Sequence, residues 1–285
     1  MFRYYRFAGV EYSISAPEGS MYHDERSLGP FSVDEVSDPH RFCFEFTEKL
    51  DEPSGEILSV QPNFTVFADG NKTVRYIGSS QKDAYIRVEH CGNEHKVQLK
   101  ESKFPGKIGT HTVLEVIAAE HYVVQKSGFI LHCSYIEHNG KAILFTAPSG
   151  TGKTTQAELW RKFRGANIVN GDRAAVRIAD GKILAEGIPF SGSSDYCENR
   201  SLPLKAIVYL EKAPETSIRK MRGYEAFSHI WEGVSVNTWD REDLEKAFET
   251  VTKTAKAVPV FYLKCTPDES AVLALEKAAE GEKTC

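Results

Sequence analysis

The stretch that most constrains this chain is Ala147-Pro-Ser-Gly-Thr-Gly-Lys-Thr-Thr155. A strand-like apolar run, Ala142-Ile-Leu-Phe-Thr, precedes it, and a run of strong helix formers, Thr155-Gln-Ala-Glu-Leu-Trp-Arg-Lys-Phe, follows. A strand that turns sharply into a helix is a building unit of α/β layers. The loop fits the phosphate-binding form G-x-x-x-x-G-K-[ST], with Ala147 standing at the first glycine position. Gly150 and Gly152 allow backbone turns in which successive N–H groups converge on one anion. A helix opening near Lys153 aims its positive end at the same point. The predicted phosphate-binding residues are therefore Ser149, Gly150, Thr151, Gly152, Lys153, Thr154 and Thr155. Lys153 is expected to reach the β- and γ-phosphates. The Thr154 hydroxyl is expected to bind Mg²⁺, a hard cation that takes oxygen ligands.

Next, Ala166-Asn-Ile-Val-Asn-Gly-Asp-Arg-Ala-Ala-Val-Arg-Ile reads as one strand running into another, with Asp172 just past Ile168-Val169. An acidic residue at a strand edge beside a phosphate loop can hold Mg²⁺ or take the proton of an attacking hydroxyl. The ordinary alternative is a turn aspartate at Gly-Asp.

The first hundred residues alternate with period 2, as in Arg41-Phe-Cys-Phe-Glu-Phe-Thr, and predict an antiparallel sheet. Asp69-Gly-Asn71 and Cys91-Gly-Asn93 each predict a hairpin turn. Ala16–Pro39, rich in Ser, Pro, Gly and acids, predicts an exposed connection. The period changes near residue 105, where Thr112 and Glu115 have capping-box spacing and predict a helix start. A β-rich domain over 1–108 and a second domain over 109–285 are expected. In the second, Asp240 is the expected cap of a helix whose stripe of Leu244, Ala247, Phe248 and Val251 faces the core. Thr266-Pro-Asp-Glu predicts the capping box of the last helix.

Composition narrows the functions. With 35 basic against 40 acidic residues the net charge is −5, which excludes a strongly basic nucleic-acid binder. No apolar run approaches the ~20 residues needed to cross a bilayer, and Met1-Phe-Arg-Tyr-Tyr-Arg-Phe lacks the apolar core of a secretory leader. A cytoplasmic protein is expected, with neither nucleic acid nor membrane among its partners. The six cysteines are scattered without a C-x-x-C pair, so free thiols are expected rather than a disulfide framework or structural zinc.

Leu131-His132-Cys-Ser-Tyr-Ile, Gly140-Lys-Ala-Ile-Leu and Ser149-Gly-Thr-Gly-Lys-Thr together resemble the kinase core of HPr serine kinase/phosphorylase. The resemblance covers roughly residues 108–280. It implies an α+β or α/β fold: a carboxy-terminal P-loop kinase core, of the type shared with ATP-dependent phosphoenolpyruvate carboxykinase. The amino-terminal antiparallel β-rich domain lies outside it. It further implies an ATP- and Mg²⁺-dependent kinase, with a hydroxyl on a protein, peptide or amino acid as acceptor. Lys153 and Thr154 would serve phosphate and metal, and His132 would sit beside the transferring phosphoryl group. Asp172 matches the second member of the family's acidic pair, while Gly171 stands where the first would be. A nucleotide-binding regulatory protein without transfer is the alternative that Gly171 favours. Glu186 is implied as a metal or substrate contact, and Ser191-Gly-Ser-Ser-Asp195 reads as a substrate loop or plain connector. Arg173 and Arg200 are candidates to offset phosphoryl charge. Relatives of this type form homo-oligomers, with no interface legible here.

Overall fold

The computed structural model describes residues 2–21, 26–192, 194 and 196–281. Met1, Ser193, Asp195 and one of the six cysteines, Cys285, on which expectations above fall, lie outside them. The protein is mixed α/β with two large sheets, and it divides into Met1–Ala119 and Glu120–Cys285.

The first unit carries β1 (Phe2–Phe7), β2 (Val10–Ser15), β3 (Ser32–Val33), β4 (His40–Thr47) and β5 (Glu56–Gln61). It continues with β6 (Phe64–Asp69), β7 (Lys72–Ile77), β8 (Ile86–Cys91), β9 (Glu94–Lys100) and α1 (Thr110–Ile117). The strands form one sheet in the order β3-β1-β2-β4-β9-β8-β7-β6-β5. Both predicted hairpins are present: β6 and β7 pair down to Asp69↔Lys72, and β8 and β9 down to Cys91↔Glu94. Gly70 and Gly92 take φ of 62° and 58°, as two-residue turns of this hand require.

The expectation of a purely antiparallel sheet is corrected, because β4 runs parallel to both β2 and β9. A parallel pair needs a long crossover rather than a tight turn. The Ala16–Pro39 stretch supplies it between β2 and β4, and so it is not merely exposed: Leu28 and Phe31 are buried. The predicted capping box is also corrected. Helix α1 begins at Thr110 behind Gly109, which puts Thr112 inside it, and it ends at Ala118 in the left-handed region (φ 46°). Its last carbonyls are met by a side chain instead, Arg75 donating to Glu115 O at 3.0 Å and Val116 O at 2.6 Å.

The second unit runs α2 (Glu120–Gln125), β10 (Gly128–His138), β11 (Lys141–Thr146), α3 (Lys153–Arg164), β12 (Asn167–Asn170), β13 (Arg173–Ala179) and β14 (Lys182–Gly187). It ends with β15 (Ser201–Lys212), β16 (Ser217–Met221), α4 (Gly223–Trp231), β17 (Val234–Ser235), α5 (Arg241–Ala257), β18 (Val260–Cys265) and α6 (Glu269–Glu280). The sheet order is β11-β10-β13-β14-β15-β18-β16. Strand β11 also pairs parallel to β15, which closes the first five strands into a ring.

Every residue of β11 after Lys141 is buried, as expected of a strand covered on both faces. Ile143 and Phe145 pack with Trp160 of α3 and Leu275 of α6. Ala142 and Leu144 pack into a second cluster that includes Ile230 of α4 and Val251 of α5. Each fully buried side chain of this size contributes about 1.5–3 kcal/mol. Asp240 caps α5 as predicted, accepting from Glu242 N at 2.9 Å and Asp243 N at 3.1 Å. Two expectations nearby are corrected: Asp268 rather than Thr266 caps α6, and Phe248 of the α5 stripe is 54% exposed.

Asp243 is a fully buried carboxylate, 0% exposed. It accepts from His121 Nδ1 at 2.9 Å, Gln125 Nε2 at 3.0 Å and Asn237 Nδ2 at 3.1 Å, which ties α2 to α5. Burial lowers the His121 pKa, but the bond to Asp243 and its charge outweigh burial, and the net shift is upward. A histidine whose pKa rises on folding stabilises the fold below its unfolded pKa, and that stability is lost as pH rises through the folded value. The advantage in melting temperature of the wild type over His121→Asn is thus expected to be largest, roughly 2–4 °C, below about pH 6. It should shrink on raising the pH past neutrality, read by thermal melts at several pH values.

Candidate functional site

The predicted loop leaves the C-terminal end of β11 and enters α3. Gly150 (φ 76°) and Gly152 (φ 114°) both hold backbone angles that side-chain-bearing residues rarely take. Gly152 caps α3 without any side-chain bond, so the first N–H groups of the helix lack an intrahelical partner. Pro148, Ser149, Gly150, Thr154 and Thr155 are exposed, while Thr151 and Gly152 are half-buried.

Lys153 is the exception. It is 7% exposed, and its ammonium donates to Ala147 O at 3.0 Å and Pro148 O at 3.4 Å. Burial lowers its pKa, against the opposing influence of Cys133 and Asp172. An ammonium has three donors, so one remains after those two bonds. The side chain is thereby folded back across its own loop with a proton still to offer.

Asp172 comes to the loop from the next β-unit. Its position is set by Asn170, which is completely buried at the end of β12. The Asn170 Oδ1 accepts from Asp172 N at 2.9 Å and Arg173 N at 3.0 Å, an Asx turn. The Nδ2 of the same amide donates to Ile188 O at 3.0 Å and Phe190 O at 3.2 Å. The Asp172 carbonyl in turn accepts from Cys133 N at 2.9 Å, which fastens the turn to β10. Asn170 was not singled out from sequence, although Asn two residues before Asp in Asn-Gly-Asp is the recognisable sign of such a turn.

His132 lies opposite Arg173 in the β10–β13 ladder. Its Nε2 stands 3.5 Å from Asp172 Oδ1, long for a hydrogen bond but close for a charge interaction. Burial lowers the His132 pKa; Lys153 and Arg173 push the same way, while Asp172 opposes them. The balance of these influences favours the uncharged imidazole. Arg173 Nε approaches Asp172 Oδ2 at 3.3 Å, and its Nη1 lies 3.8 Å from Glu120. Lys153, His132, Asp172 and Arg173 are thus electrostatically joined.

The other candidates are engaged elsewhere. Glu186 is 7% exposed, its Oε2 accepting from Arg177 Nε at 2.8 Å and its Oε1 from Arg177 Nη2 at 3.0 Å and Ser201 Oγ at 3.1 Å. Arg200 bridges Glu137 at 2.6 Å and Glu198 at 3.1 Å. Gly171 has no room for a side chain, since a Cβ there would lie 2.4 Å from Ser194 Oγ. A Cβ on Gly192 would meet Asp172 Cγ at 2.7 Å. Ser194 and Gly192 therefore lie against the turn bearing Asp172. His121, Asp240 and Asp243 also place ligand-type atoms within 4.8 Å of one another, but helix capping and the helix–helix tie described above already engage them.

Residues 110–277 match the family model described as SynChlorMet cassette protein ScmC. The chain belongs to the ScmC family. The match takes in every residue of the site just described, from Glu120 to Arg200. No match was found among curated proteins. Among solved structures, the Hpr(Ser) kinase/phosphatase from Coxiella burnetii is similar at 11% identity over 54% of this chain and 90% of that one, with a TM-score of 0.33. So distant a likeness does not bear on the chemistry of the site.

Because four hydrogen bonds converge on the buried Asn170 amide, Asn170→Ala is expected to destabilise the chain by about 2–4 kcal/mol, well above an ordinary surface change. Urea denaturation of the two proteins measures this directly. Asn170→Asp, which sets a buried carboxylate oxygen against the Ile188 and Phe190 carbonyls, should lose at least as much.

Proposed function

We propose that the second unit transfers the γ-phosphate of ATP to a hydroxyl group. The observation that supports this most is the convergence of Lys153, Asp172 and His132 on a glycine loop at the mouth of α3. The residue-level resemblance to HPr serine kinase/phosphorylase noted above points the same way. The loop suits a nucleotide phosphate. Its backbone N–H groups are uncapped, Ser149 and Thr154 are exposed, and no atom lies within 4 Å of a Cβ built on Gly150. Thr154 and Asp172 supply the oxygen donors a Mg²⁺ ion would take; Glu186, with both oxygens committed, is left out of that set.

In this reading Lys153 turns its remaining proton to a phosphate oxygen and offsets charge there. When bound, Mg²⁺ would screen the remaining phosphate charge. Asp172, fixed by Asn170, accepts the proton of the attacking hydroxyl. The acceptor oxygen then bonds to the γ-phosphorus as the bond to the β–γ bridging oxygen breaks, and ADP carries that electron pair away. Neutral His132 borders Asp172 and can relay the proton outward. Serine in a protein, a peptide or the free amino acid fits the acceptor role equally.

The reading without transfer is favoured by one observation, the filled space at Gly171, which leaves Asp172 as a single carboxylate where a pair would be expected. Labelled ATP separates the two. Wild-type protein with Mg²⁺ and a fractionated cell extract should place label from the γ-position on one fraction. Lys153→Ala should abolish both binding and transfer. Asp172→Asn should keep nucleotide binding while losing about 10²-fold or more in transfer rate. Normal transfer by Asp172→Asn would remove Asp172 as the base, and nucleotide binding without transfer by wild type would select the regulatory reading.

A further inference from the structure

The second unit has a groove at the other end of its parallel strands. It is a cavity of about 1120 Å³ where β11, β15 and β18 begin, closed at the sides by α4, α5 and the end of α6. Lys141 opens β11 at this end, whereas the glycine loop leaves the strand after Thr146. Five residues of strand separate the two, roughly 17 Å. The groove is therefore distinct from the candidate phosphate site.

Its lining combines two chemistries. Lys141, Lys205, Lys220, Arg222 and Lys256 supply five cations, against one carboxylate, Glu280, among the described lining residues. This concentration of positive charge stands out in a chain whose net charge is −5. Between the cations the surface is apolar. Phe227 and Phe248 lie with ring centroids 4.7 Å apart, and Val258 and Pro259 continue the wall. Tyr224 is 83% exposed and Phe248 54%, large apolar surfaces that water solvates poorly. Arg222 caps α4 without a side-chain bond, so the uncapped N–H groups of that helix add to the positive potential.

We propose that this groove docks a peptide segment of a partner that alternates carboxylates with aromatic or aliphatic side chains. Charge complementarity assigns the carboxylates to the basic rim, and the aromatic pair assigns the apolar side chains to the floor. The volume exceeds the ~300–1,000 Å³ usual for small ligands, which favours an extended chain segment over a metabolite. A concave groove favours a single chain over a membrane surface, which a flat or convex basic face would meet. This inference does not depend on phosphoryl transfer.

The test uses the full chain and a fluorescein-labelled eight-residue peptide alternating Glu with Leu and Phe, followed by anisotropy. Two control peptides replace every Glu by Gln, or every Leu and Phe by Ser. Wild type should bind the first peptide and lose about tenfold in affinity for either control. Arg222→Glu combined with Lys256→Glu should weaken binding by a similar factor, and Phe248→Ser by about fivefold. All three positions are exposed, and unchanged melting temperatures confirm that each variant folds. Lys153→Ala should bind the peptide as wild type does. The proposal is overturned if no peptide binds, if the Gln peptide binds as well as the Glu peptide, or if charge reversal leaves affinity unchanged. Loss of binding in Lys153→Ala would overturn it in favour of the phosphate loop. Tighter binding to phosphatidylglycerol vesicles than to the peptide would overturn it in favour of a membrane surface.

Discussion

The double pairing of β11 is the constraint on which the second unit depends. On one side it runs antiparallel to β10, from His138↔Lys141 to Cys133↔Thr146; on the other it runs parallel to β15, from Ala142↔Leu204 to Thr146↔Tyr209. With both edges hydrogen-bonded and both faces buried, the strand has almost no freedom left. Whatever hangs from its ends inherits that rigidity. The glycine loop hangs from one end and the basic groove opens at the other. Loops make accurate sites when a rigid element sets their roots, and here one strand roots both.

Electrostatics at the loop follow from burial. Lys153 would be an ordinary surface lysine if its side chain pointed to water. Turned inward, it loses solvent on most of its length, and the carbonyls of Ala147 and Pro148 replace part of that solvation. The residual cost appears as a lowered pKa, which Asp172 counters from across the site. Burial first, and this lysine second, lower the His132 pKa as well. The inward turn of Lys153 thus couples the loop electrostatically to His132 and Asp172. The groove achieves positive charge differently, by collecting partly or fully exposed cations, and is consequently more sensitive to salt.

Much of this was legible in the sequence because it is local. The β11–loop–α3 unit, the hairpins at Gly70 and Gly92, and the Asp240 cap each depend on a few consecutive residues, and pattern alone located them. The parallel pairing of β4 with β2 and β9 was not legible, since register between distant strands leaves no mark within either. The placement of Thr112 inside α1 shows the same limit: a capping-box spacing occurs inside helices too, and tertiary packing chose Gly109 as the start. Phe248 completed an apolar stripe by period, yet the structure turns it outward into the groove. Its exposure could be found only after α4 and α5 were placed. Asn170 lies between these extremes: the Asx turn is written in Asn-Gly-Asp, while its bonds to Ile188 and Phe190 are long-range.

Gly171 shows how the two kinds of information combine. From sequence it is an absence, a glycine where a resembling family carries an acid. In the structure it is a contact, because Ser194 occupies the space a side chain would need. Gly192 completes the fit from the other side by lying against Asp172. The loss of one carboxylate and the close approach of Ser194 are thus a single feature. A second acid at 171 would repel Asp172 and displace Ser194 together. Retaining glycine leaves Asp172 the sole carboxylate of the turn, with its backbone fixed by Asn170 and Cys133 and its side chain between His132 and Arg173. Its single carboxylate is thus held between an imidazole and a guanidinium rather than beside a second acid.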